Sequence, residues 1–95
     1  MNPQTVVKAW TFLSNHGHVL IQLSRNPEAR IREIAQEVGI TERSAQSILA
    51  DLADAGYVHV ERIGRRNHYT VNTAQTFRHP SEADTSISAL LEIFR

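Results

Sequence analysis

Three features of this 95-residue sequence predict a mainly helical domain carrying a small β-hairpin. Apolar residues recur at helical spacing through the middle of the chain, most clearly in Ala45, Ile48, Leu49 and Leu52 at i, i+3, i+4 and i+7. Gly39 and Gly56 stand where two such stripes stop. After Gly56 the apolar period changes to strict alternation around a glycine-containing turn, which is the pattern of paired strands.

Taken in order, Met1 to Leu13 carries Val6, Val7, Trp10, Phe12 and Leu13, a large apolar content for a free tail. Val6, Val7, Trp10 and Leu13 fit a helical stripe, while the β-branched and aromatic content fits an extended arm, and both conformations stay open. Ser14 or Asn15 can cap a helix running to about Ser24, with Val19, Leu20 and Leu23 inward and Asn26-Pro27 ending it. A short stretch, Ala29 to Arg32, is expected to be extended. A helix from Glu33 to Val38 follows, with Ile34, Ala35 and Val38 on one face. Gly39 terminates it, because glycine takes the left-handed conformation without a Cβ penalty. Thr41 starts the next helix by offering its hydroxyl to an orphan N–H of the first turn, so two helices joined by Gly-Ile-Thr form a helix-turn-helix.

Beyond Gly56, the stretch Tyr57 to Arg62 places residues 58 and 60 on one face, and His68 to Val71 turns Tyr69 and Val71 the same way. Gly64-Arg65-Arg66-Asn67 is expected to be the turn between these strands. An isolated hairpin is marginal, so its apolar face must pack on the helices. Residues 72–80 are expected to form a loop. Ser81 with Asp84 three residues on resembles a capping box for a last helix whose stripe is Ala83, Ile87, Leu90, Leu91 and Phe94.

Composition narrows the functional classes. The absence of cysteine excludes a disulfide framework, thiolate zinc sites and cysteine nucleophiles. No apolar run exceeds three residues, as in Val19-Leu20-Ile21, against the ~20 needed to cross a bilayer, and the N-terminus has no signal-peptide pattern. The expected compartment is therefore the cytoplasm, with no membrane partner. The chain carries 10 Lys and Arg against 10 Asp and Glu, so its formal charge is zero. That sum argues against nucleic acid only if the charges are evenly spread.

They are not. Between Tyr57 and Asn72 the basic residues are Arg62, Arg65 and Arg66 against Glu61 alone, with Asn67 beside them. The order helix, short strand, helix, tight turn, helix, hairpin is that of a winged helix-turn-helix. The run from Ile34 through Ala35, Gln36, Glu37, Val38, Gly39 and Ile40 to Thr41 carries the closest likeness. With Ala45, Leu49, Leu52, Gly56-Tyr57-Val58 and Arg65-Arg66, it resembles the MarR-type and ArsR-type transcription regulators of bacteria and archaea. The resemblance covers roughly residues 14 to 72. It implies a three-helix core plus a wing, with flanking N- and C-terminal dimerisation segments at residues 1–13 and 81–95 of one domain.

The implied partner is double-stranded DNA. In such proteins the second helix of the motif, here residues 41–55, enters the major groove, where each base pair presents its own donors, acceptors and methyls. The polar start of that helix supplies Thr41, Arg43, Ser44, Gln46 and Ser47 as candidate contacts. Arg43 suits guanine and Gln46 adenine, each bidentate pair giving about 1–3 kcal/mol of discrimination. Glu42 either accepts from a cytosine amine or favours the helix start. Ser47 departs from the related pattern, in which Arg or His often stands. Asp51 and Asp54, in the helix's C-terminal half, are expected to lie away from the groove. The wing, residues 58–71, is expected on the backbone or in the minor groove through Arg62, Arg65, Arg66 and Asn67. The apolar ends, with Trp10, Phe12, Leu13, Ile87, Leu90, Leu91 and Phe94, are expected to pair two copies on a near-palindromic operator.

The rival class is a winged helix that uses the same face to bind protein. The histidines invite a metal-sensor reading, yet His16 and His18 lie about 200° apart on a helix and could not face one ion. Surface or capping roles fit them better. No phosphate loop, His-Glu-x-x-His or nucleophile elbow is present, so neither an enzyme nor a cofactor is expected.

Overall fold

A computed structural model describes residues 9–95; Val6 and Val7, named above, lie outside them. Three helices build the core: α1 (Asn15–Arg25), α2 (Ile31–Val38) and α3 (Glu42–Asp54). Their starts follow local chemistry. The Ser14 hydroxyl accepts from the Gly17 N–H at 3.2 Å, and the Thr41 hydroxyl accepts from the Ser44 N–H at 3.0 Å. Gly39 closes α2 at φ 84°. Val19, Leu23 and Ile34, almost fully excluded from solvent, pin α1 against α2. Ala45, Ile48, Leu49 and Leu52 form the buried stripe of α3, as their spacing predicts.

The wing is an antiparallel hairpin of β1 (Val58–Ile63) and β2 (Arg66–Val71), with Ile63 opposite Arg66 and Val58 opposite Val71. The connection is the two-residue Gly64-Arg65 loop, so Arg66 and Asn67 belong to a strand rather than to the expected four-residue turn. Its base is tied to α3: the Tyr57 N–H donates to the Leu52 carbonyl at 2.8 Å and the Asn72 N–H to the Tyr57 carbonyl at 2.8 Å. Val58 and Tyr69 are buried, as expected for the inward face, and Val71 is half-buried. Val60, on the same face, is 39% exposed. The hairpin packs on the core as far as Tyr69, and Val60, its cross-strand partner, opens onto a groove.

Two elements differ from expectation. Ala29 and Arg30 are extended, but Ile31 already starts α2, because the Arg30 N–H donates to Glu33 Oε1 at 2.7 Å and closes the first turn earlier. The piece that precedes it meets the wing twice: the Tyr69 N–H donates to the Pro27 carbonyl, and Glu28 Oε2 lies 3.6 Å from His68 Nδ1. Nor does the last helix begin at Ser81. His79 Nδ1 accepts from the Ser81 N–H and caps a single 3₁₀ turn, Pro80–Glu82, which leaves the Ser81-Asp84 box unformed and Ala83 exposed. An isolated bridge between Thr76 and Ser86 holds the next residues extended, so α4 runs only from Ile87 to Ile93. Ile87, Leu90 and Leu91, expected in a dimer interface, are buried within the protomer, and Leu13 and Phe94 pack half-buried on the same core. Trp10 and Phe12 are 69% and 94% exposed, their rings edge to face at 5.2 Å.

Candidate nucleic-acid interface

The side chains of α3 sort into three stripes by their spacing of about 100° per residue. Opposite the buried stripe, Arg43, Ser47, Ala50 and Asp54 point to solvent. Gln46 and Ala53 lean towards the wing. Ser44 and Asp51 lean towards α1.

Between α3 and the wing lies an open groove of about 730 Å³. Gln46, Ala50 and Ala53 form its α3 side, Val60 sits on its wing side, and Arg62, Arg65, Arg66 and Asn67 all line it. Of the expected helix residues only Gln46 meets the wing residues in this groove, which Glu28 also lines; Ser44 and Ser47 lie on the other flank of α3. Arg30, at the start of α2, joins them and was not singled out from the sequence. Its place depends on the packing of residues 27–30 beside β2, which no local pattern reveals. Among the described residues none of Arg30, Arg43, Arg62, Arg65 and Arg66 enters an ion pair, so their charge is free for an external anion. Arg62 makes one long bond, from Nε to the Gly64 carbonyl at 3.4 Å, inside the wing tip.

The opposite flank is more neutral. Ser44 and Ser47 share a shallow depression with Asn15, His16 and Asp51. Thr41 and Ser44 are committed to each other: the Ser44 N–H donates to Thr41 Oγ1, and Thr41 Oγ1 donates to Ser44 Oγ at 3.0 Å. Thr41 thus serves first as a cap. Asp51 stands beside Ser47 in this depression, nearer the expected contact surface than its position late in the helix implies, and its Oδ2 lies 2.8 Å from His16 Nε2.

The MarR family model matches residues 11–66, more than half of the chain and the whole span from α1 to the wing tip. The chain belongs to the MarR family. Among solved structures, this MarR-family chain is similar to MepR, a transcription regulator of the Staphylococcus aureus multidrug efflux pump MepA, with a TM-score of 0.58 and 18% identity. That alignment covers 84% of this chain and 56% of MepR, so the chain spans little more than half the length of that protein. The likeness supports the winged helix fold. No curated protein sequence matches the chain significantly. Among the described residues no helix is long and apolar enough to cross a membrane, and no group of three or more His, Cys, Asp or Glu is arranged to hold a metal ion.

Proposed function

We propose that the chain is a sequence-specific double-stranded DNA-binding transcription regulator that acts as a homodimer on a near-palindromic operator, blocking or assisting polymerase by its occupancy. The observation that carries this reading is the shared groove of α3 and the wing, where Gln46 stands opposite four polar wing residues, three of them arginines that enter no ion pair among the described residues. A helix in the major groove reads base edges, and cations beside it hold the phosphates that fix its register. Arg43 and Gln46 are the base-reading residues in this scheme. Ser44 and Ser47 make shorter polar contacts, and Arg62, Arg65, Arg66 and Asn67 hold the backbone or the minor groove. Residues 41–55 and 58–71 are the two contacting elements of a single domain.

Selection of bound fragments from a random duplex pool, followed by salt titration of the best duplex, tests the proposal. Binding should weaken steeply with salt, and Arg65→Ala with Arg66→Ala should lower the log–log slope by up to about two phosphate contacts, each ~0.9. Salt-insensitive association, or enrichment of no duplex, would point instead to a winged helix that docks protein.

A further inference from the structure

The proposed DNA contact places cations on one flank of α3 and gives the other only the short side chains of Ser44 and Ser47. With its side chains a helix is about 10–12 Å across, and the major groove is about 12 Å wide, so a helix seated there brings both flanks close to a phosphate strand. The wing arginines meet one strand. On the other side the fold offers the first turn of α1, where Asn15 and His16 share a depression with Ser44, Ser47 and Asp51.

Resting on that DNA reading, we infer that His16 is the second backbone anchor, a protonated imidazole held between Asp51 and a phosphate of the strand opposite the wing. The pair is in place: His16 Nε2 is 2.8 Å from Asp51 Oδ2, and the two side chains are 47% and 59% exposed. Exposure leaves room for an anion to approach. Asp51 follows Ser47 by one turn on the flank a phosphate strand would run along, where a bare carboxylate would repel it. A paired imidazole removes that repulsion. An imidazole bonded to Asp51 through Nε2 has Nδ1 left, and only the protonated ring donates from both nitrogens. Asp51 is thus a positioning residue, which orients the ring through the 2.8 Å contact to Nε2.

The sign of the pH effect follows. DNA that binds the imidazolium takes up a proton wherever the free ring is neutral, so affinity rises as pH falls. The other charged groups around His16 are Asp54 on α3 and, across the neighbouring cleft, Arg78 and Glu82. His18, on α1 itself, turns to Thr11 Oγ1 at 3.3 Å. His59 and His68 lie on the wing, His68 Nδ1 3.6 Å from Glu28 Oε2. The informative quantity is therefore the difference between the unaltered chain and a His16 variant.

The test measures binding of a mixed-sequence duplex of about three helical turns, with the full chain, across pH and salt. His16→Gln should weaken binding about tenfold at pH 6 and little at pH 8, and lower the salt slope by ~0.9. His16→Lys should restore affinity and slope at both pH values while removing the same part of the pH dependence. A His16→Gln variant that folds and keeps the pH profile and slope of the unaltered chain would overturn the assignment while leaving the wing-based reading intact. An unaltered chain that binds no duplex overturns both. Should His16→Gln fail to fold, His16→Lys decides the matter, since unchanged pH dependence in it counts against the anchor.

Discussion

Gly39 and Gly56 hold the same left-handed backbone, with φ of 84° and 83°, in different surroundings. A Cβ added at Gly39 meets nothing within 4 Å, so Gly39→Ala pays only for backbone strain, about 1–2 kcal/mol. A Cβ at Gly56 would come 2.8 Å from Gln75 Nε2. That amide is the end of a flexible side chain and can swing away, but it donates to the Ala55 and Gly56 carbonyls at the C-terminal end of α3. Gly56→Ala should therefore cost the same strain plus about 0.5–1.5 kcal/mol for the lost bonding. Denaturant unfolding of the two variants should show this order, and equal losses would mean that Gln75 contributes nothing to the helix end. Both glycines could be read as helix stops from sequence because the signal is local. The partner of Gly56 could not, since Gln75 lies 19 residues away. The same division runs through the candidate interface. Thr41 and Arg65 follow from a cap and a turn, whereas Arg30, Val60 and the 35-residue reach from His16 to Asp51 depend on which elements pack together.

Among the elements, α1, the α2-turn-α3 unit and the wing carry their own signals in caps, apolar stripes and alternation. The C-terminal segment does not. With seven residues, α4 is too short to hold as an isolated helix and depends on burial of Ile87, Leu90 and Leu91. Its start is set by pairing across the chain: the Ile87 N–H donates to the Gln75 carbonyl at 2.7 Å and the Phe77 N–H to the Thr85 carbonyl at 3.1 Å. These bonds keep residues 85 and 86 from joining a helix that the Ser81-Asp84 spacing favours. A stripe of apolar residues also does not say whose core it enters. Leu91, 8% exposed, packs into its own protomer, so Leu91→Ala should cost about 2–5 kcal/mol in unfolding free energy. Ile93, 73% exposed, should tolerate Ile93→Ser with a change within about 0.5 kcal/mol of protomer stability. Chemical denaturation at matched protein concentration checks the contrast. A small loss at Leu91 would mean that α4 is not part of the protomer core.

For the molecule as a whole, the zero net charge conceals an uneven distribution. Arginines that enter no ion pair among the described residues border the groove, while Asp51 is matched by His16 on the other flank. The apolar surface is uneven as well. Burial of the α4 stripe within the protomer leaves Trp10, Phe12 and Ile93, among the described residues, as the large apolar side chains most exposed at the two ends. The proposed dimer must therefore draw on these residues more than on Leu90 or Leu91. A chain of 95 residues buries a limited fraction of its surface, so a second copy would add apolar burial that the protomer cannot supply. Sedimentation equilibrium should show a concentration-dependent dimer, and Trp10→Ser with Phe12→Ser should shift it towards monomer without changing the helical content. If two half-sites are read by paired copies, that variant should also lose affinity for a two-half-site duplex by at least tenfold while binding a single half-site as before. A chain that stays monomeric at all concentrations, and binds one and two half-sites with equal affinity per site, would remove the dimer from the proposal. The α3 and wing surface would remain as the DNA-binding unit.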